Sequence, residues 1–113
     1  MASNGRTWAV YFDADAARDF EEVKSRGDRK AVYQAIEKLR YLGPALSSPD
    51  MKSLKGEADL FELRPKRGAI AVRPIYARLS ETFVILAVAP DKRHFDRAIK
   101  DARSRLLGLL DRK

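Results

Sequence analysis

Residues 82–89, the run Thr-Phe-Val-Ile-Leu-Ala-Val-Ala, constrain the fold of this chain more than any other segment. Apolar residues fill both parities of the run, so a strand built from it has no face to offer to water. Such a strand belongs in the middle of a sheet. The uninterrupted apolar stretch from Phe83 to Pro90 is far shorter than the roughly 20 residues a membrane-spanning helix needs. Two more strands are expected before it, over 60–64 and 70–77, joined by the Pro-initiated turn Pro65-Lys66-Arg67-Gly68. Connections this short imply an antiparallel meander.

The first half supplies the cover. Residues 7–12 alternate, with Trp8, Val10 and Phe12 on one side of a half-buried strand. Asp13 or Asp15 can cap a helix whose thin apolar stripe is Ala16, Phe20 and Val23, with Gly27 expected to close it in a left-handed turn. Asp28 is expected to start a stronger helix, since Val32, Ala35, Ile36, Leu39 and Leu42 keep helical spacing. Gly43-Pro44 stops it. Residues 45–57 read as a loop, rich in turn signals. After Pro90-Asp91, one face of a last helix carries Phe95, Ile99, Ala102, Leu106 and Leu109. The fold class is therefore α+β: two layers, an antiparallel sheet of about four strands, two helices packed on one face, and a C-terminal helix. The 113 residues are read as a single domain over 1–113.

Charge is one-sided. Lys and Arg outnumber Asp and Glu by 23 to 16, for a net charge of +7. Residues 1–51 are balanced, so the whole excess lies in the second half. A basic surface of this kind attracts polyanions or an acidic protein partner. Without cysteine the chain has no disulfide and no thiolate zinc site, which fits a reducing cytoplasm. The polar opening, Met1 to Thr7, does not read as a signal peptide. One histidine and scattered carboxylates give no metal-ligand spacing, and no Gly-rich phosphate loop is present.

Strand alternation puts Phe61, Leu63 and Val72 toward the helices and leaves Glu62, Arg64 and Arg73 on the other face. Core packing explains that charged face poorly. Four segments then carry a resemblance: Lys52-Ser53-Leu54-Lys55-Gly56, Leu60-Phe61-Glu62-Leu63-Arg64, Val72-Arg73-Pro74-Ile75-Tyr76 and Asp91-Lys92-Arg93. In this order and spacing they resemble the RelE/ParE toxin superfamily, most closely its HigB or phage-derived Gp49-like branch, over nearly the whole chain. Two departures stand out. Pro90-Asp91-Lys92-Arg93-His94-Phe95 replaces a basic Phe-x-Lys-Lys-Thr segment, and Pro74 interrupts the second meander strand, where a bulge or an edge is expected.

The resemblance implies the toxin of a type II toxin–antitoxin system, a metal-independent, cofactor-free endoribonuclease that cuts mRNA on the ribosome and stops translation. It implies a cytoplasmic protein with a cognate antitoxin, most simply a helix-turn-helix protein, with operator DNA reached only through that antitoxin and no membrane partner. Attack of a 2′-OH on the adjacent phosphate needs a base, cations for the crowded phosphorane, and an acid for the leaving oxygen. Arg64, Arg73, Lys92 and Arg93 suit the cationic role, since an arginine fork matches phosphate oxygens two at a time. His94 beside that pair suits proton transfer, with Glu62 and Tyr76 as substitutes. Lys52, Lys55, Lys66 and Arg67, in loops flanking the same sheet face, can hold the RNA backbone. The plainer alternatives are surface charges, an ion pair between Glu62 and the two arginines, and a histidine that caps the last helix. At the level of function, the alternatives are a ParE-like gyrase poison without catalysis and an inactive relative that binds only antitoxin and operator DNA.

Overall fold

The computed structural model describes residues 7–111. The polar opening segment, apart from Thr7, lies outside them. β1 (Ala9–Phe12) leads through Asp13 into α1 (Ala14–Glu21). The Asp13 carboxylate accepts the Asp15 and Ala16 N–H groups at 2.9 and 3.4 Å, so Asp13 rather than Asp15 is the cap. α2 (Arg26–Leu42) starts two residues earlier than its apolar stripe indicates, because Ser25 Oγ accepts the Asp28 N–H at 3.2 Å. Gly27 is thus inside α2 and closes nothing. Arg29 instead reaches back to the Phe20 and Val23 carbonyls at 2.9 and 3.1 Å, satisfying the end of α1.

Gly43 ends α2 with φ +53°, and the Trp8 ring lies where a side chain at 43 would sit. The supposed loop then contains a short strand, β2 (Met51–Ser53). β3 (Phe61–Leu63), β4 (Arg73–Leu79) and β5 (Thr82–Ala89) follow, and α3 (Phe95–Asp111) closes the chain.

The sheet order is β1-β5-β4-β3-β2. The last four strands form the expected antiparallel meander, extended by β2, but β1 runs parallel to β5 and makes the sheet mixed. β5 is central in its N-terminal half, between β1 and β4, as its two apolar faces require. Phe83, Ile85 and Val88 pack under α1 and α2, while Leu86, Ala87 and Ala89 pack under Ala98, Ala102 and Leu106 of α3. The architecture therefore has a third layer where two were expected. A register shift falls between Ile75 and Tyr76, one residue past Pro74, and it lets both Leu86 and Ala87 face α3. Pairing between β3 and β4 stops at Glu62–Ile75, so Pro74 leaves no β3–β4 bond unmade. No helix among the described residues is long and apolar enough to cross a membrane.

Candidate functional site

The C-terminal end of β3, the start of β4 and the turn entering α3 meet around Glu62. β3 alternates as expected: Phe61 and Leu63 join the core beneath α1 and α2, and Glu62 takes the opposite face. Glu62 is the buried charged residue of the described chain, 6% exposed. One of its oxygens, Oε2, accepts from Arg64 Nη1 at 2.7 Å and from Arg73 Nε at 3.2 Å. With Ala71, Lys92 and Phe95 these three residues line an open cleft of about 340 Å³. Lys92 is exposed and forms no ion pair with a described residue. The cleft holds three cations against one carboxylate. Burial, and then the charge of Arg64, lower the pKa of Arg73 against the pull of Glu62. An anion entering here would offset the repulsion between the two arginines.

The two arginines are not equivalent. The Arg73 side chain is only 14% exposed. Its Nη1 donates to the carbonyls of Ile70 and Val72 (3.0 Å to the latter), and Nη2 donates to Gly68 at 3.4 Å. Counting the bond to Glu62, about four of the five guanidinium N–H groups are committed to the protein itself. Arg73 was expected on an open face, and it instead pins the 68–72 segment. Arg64 is 27% exposed, and its one hydrogen bond to a side chain is that to Glu62, which leaves most of its fork toward the cleft. Gly68, at φ +90°, is what lets Arg64 lie there, because a Cβ at 68 would overlap its guanidinium.

The remaining sequence candidates divide. Lys52 pairs with Glu62 across β2 and β3, so it shares that face and stands exposed beside the cleft. Lys55 is exposed in the turn after β2. Lys66 and Arg67 were expected to flank the same face, but their turn folds toward α2 and they line a different cleft. The cause is the backbone: both residues have positive φ, 52° and 55°. Arg93 lines neither cleft and is 86% exposed. His94 turns away from Glu62 and Arg64. Its Nδ1 is 2.7 Å from Asp91 Oδ1, and it borders a separate cleft with Asp19, Arg97, Asp101 and Arg105. That contact holds the Asp91 carboxyl below its usual range and makes His94 a partner of the capping aspartate.

Tyr76 lies on the opposite sheet face, between Phe61 and Phe83, and burial pushes its hydroxyl well above the ordinary tyrosine range. It is not available as an acid–base group. Two residues of the site escaped the sequence reading. Phe95 looked like core from its helical spacing, yet it also lines the cleft at the start of α3. Gly68 looked like an ordinary turn glycine, and only the Arg64 contact shows its role. Among the described residues no three His, Cys, Asp or Glu side chains come together as a metal site.

A mixed five-stranded sheet with a helix pair on one face, a C-terminal helix and a cation-rich cleft at the end of the meander defines a RelE-like α+β protein. Solved structures share this fold. A mutant of the Escherichia coli toxin RelE in the free state superposes with a TM-score of 0.67 at 14% identity, covering 88% of this chain and 97% of that one. RelE in the archaeal RelE–RelB complex from Pyrococcus horikoshii gives 0.55 at 21% identity, covering 74% and 94%. The sequence profile of the phage-derived protein Gp49-like family (DUF891) matches residues 19–106, and the chain belongs to that family. Among curated proteins no sequence matches the chain significantly.

Proposed function

We propose that this protein is the toxin of a toxin–antitoxin pair and cleaves mRNA on the ribosome, with Arg64 as its principal phosphate ligand. The arrangement of Arg64, Glu62, Arg73 and Lys92 carries this reading, because it concentrates positive charge around a small open cleft. In the reaction the 2′-oxygen forms a bond to phosphorus while the bond to the 5′-oxygen breaks. Arg64 and Lys92 balance the charge that gathers on the phosphorane, and Arg73 holds the wall against which they act. The 2′-proton passes to Glu62, the one carboxylate among the described residues that line the cleft, and Lys92 returns a proton to the 5′-oxygen. Lys52 steadies the backbone on the same face. The RelE chain from Pyrococcus horikoshii is seen in complex with RelB. A corresponding antitoxin, covering the basic surface with acidic and apolar groups, is proposed for this chain, with operator DNA bound through it.

Expression of the protein alone should arrest growth, with translation failing first and new transcript ends appearing within coding regions. The cleavage should persist in EDTA once magnesium sufficient for the ribosomes is restored. Restoration of activity by manganese or zinc alone, on free RNA, would mean the chemistry is different. A second reading has its own support. With His94 turned away and Glu62 tied to two arginines, the cleft has weaker acid–base equipment than the sequence promised. That suits a non-enzymatic poison of DNA gyrase, as in the ParE branch. Intact transcripts and an early stop in DNA synthesis would select it.

A further inference from the structure

A second cleft, of about 260 Å³, lies between α2 and the turn at residues 65–68. Its floor is apolar: Ala31, Ala35, Leu46 and Leu63. Gln34 stands at its edge, exposed, with a side-chain amide that makes no hydrogen bond to a described residue. Lys66 and Arg67 form the rim, and Lys38 neutralises Asp50 at one end through a 3.0 Å ion pair. Arg64 lines both this cleft and the one around Glu62, so the two meet at that residue.

Pockets that enclose drug-sized ligands run from about 300 to 1,000 Å³, so this one suits a smaller, flat group. An apolar floor with one free amide and a cationic rim fits a nucleobase whose flanking phosphates lie outside. The rim is also a costly construction. Two consecutive non-glycine residues hold left-handed backbone, which disfavours L side chains, and such conformations persist where the surrounding structure imposes them. Here they swing Lys66 and Arg67 over the cleft.

We infer that this cleft receives one unpaired base of the RNA next to the phosphate held by Arg64, and that Gln34 selects it. A glutamine amide presents a donor and an acceptor together, the pair that matches N7 and the 6-amino group of adenine. Adenine is therefore the base it favours. The inference rests on the RNA-cleaving reading for its biological meaning, but the pocket can be tested without cleavage.

The probes are the four nucleoside 5′-monophosphates and inorganic phosphate, titrated into the folded protein while the Gln34 side-chain amide and the Ala31 and Ala35 methyls are followed by NMR. AMP should shift all three, with an affinity at least about threefold above the other nucleotides, a modest margin for one amide contact. Gln34→Ala should abolish the difference among bases, and Ala35→Leu, which fills the floor, should abolish the shifts while the melting temperature stays near wild type. Equal shifts for every nucleotide and for phosphate alone would reduce the cleft to an anion site and overturn the inference, as would no shift at all. In the cleavage arm, Gln34→Ala should flatten the base preference beside the cut. Base-selective binding without RNA cleavage would sink the nuclease reading and leave the pocket standing. Cleavage whose base preference is identical in wild type, Gln34→Ala and Ala35→Leu would do the reverse.

Discussion

Arg64 and Arg73 were indistinguishable in the sequence, each an arginine after an apolar strand residue. Their surroundings separate them. Arg73→Ala removes a mostly buried guanidinium, takes away one of the two arginines that bond to Glu62 and frees the carbonyls of residues 68, 70 and 72. Leaving a buried charge with no partner costs about 3–5 kcal/mol; Glu62 keeps Arg64, so the freed carbonyls set an expected loss of about 2 kcal/mol. Arg64→Ala should cost less than about 1 kcal/mol, since Glu62 keeps Arg73, but should reduce RNA cleavage about 100-fold, the scale of losing one preorganised donor. Urea unfolding and a cleavage assay on both variants check the split, and a stable, inactive Arg73→Ala protein would reverse the assignment. His94→Ala should leave cleavage within about threefold of wild type, because the ring faces Asp91 and a different cleft; a loss of a hundredfold or more would return it to the site. The sequence located Glu62, Arg64, Arg73 and Lys92 because strand parity and the position after the last strand are local properties. It misplaced His94, Lys66 and Arg67 because side-chain direction there depends on a 3-10 turn and two left-handed residues, which periodicity does not encode; Tyr76 needs no such device, since the parity that puts Val72 in the core puts Tyr76 there too.

At the scale of elements, β5 was legible to the residue because its ends are marked by a tight hairpin and by Pro90-Asp91. β2 was not, because three residues in a turn-rich stretch carry no alternation to read. The parallel pairing of β1 was equally hidden: partner choice across some seventy residues leaves no local mark, whereas the meander announces itself through short connections. Beyond the end of β1, the edge of β5 that carries Leu86 and Val88 has no strand beside it. Arg105 of α3 donates to the Leu86 carbonyl at 2.8 Å, and Asp19 of α1 accepts the Val88 N–H at 3.2 Å. Arg105 and Asp19 also bond to each other at 2.8 Å, tying together helices on opposite faces of the sheet. Arg105→Met should therefore destabilise the fold by about 2–4 kcal/mol, leaving Asp19 without its cation and a strand carbonyl without its donor. The double variant Asp19→Asn with Arg105→Met should lose less than the sum of the two single losses, by about 1 kcal/mol or more. Strict additivity in urea unfolding would show that the two side chains act independently.

Over the whole molecule, five of the fifteen Lys and Arg residues of the second half, Arg64, Lys66, Arg67, Arg73 and Lys92, line two clefts, one around Glu62 and one beneath Lys66 and Arg67. Backbone contacts to a polyanion release counterions, so the logarithm of affinity falls with the logarithm of salt concentration by about 0.7 for each phosphate neutralised on a single strand. Lys66 and Arg67 offer a clean way to measure this, since their left-handed backbone, at φ 52° and 55°, is better tolerated by asparagine than by lysine or arginine. The double variant Lys66→Asn with Arg67→Asn loses two charges while easing backbone strain. Its melting temperature should equal or exceed that of wild type. Its affinity for a fluorescent single-stranded RNA, followed by anisotropy across a salt series, should be lower at low salt. The slope should be flatter by about 0.7 for each phosphate contact removed, so by about 1.4 if both residues touch the backbone. Parallel salt lines would show that the rim does not meet RNA and that the charge serves another partner, with the antitoxin first in line. A fall in melting temperature would show instead that the aliphatic stems of Lys66 and Arg67 pack against α2 strongly enough to repay the strain of the turn.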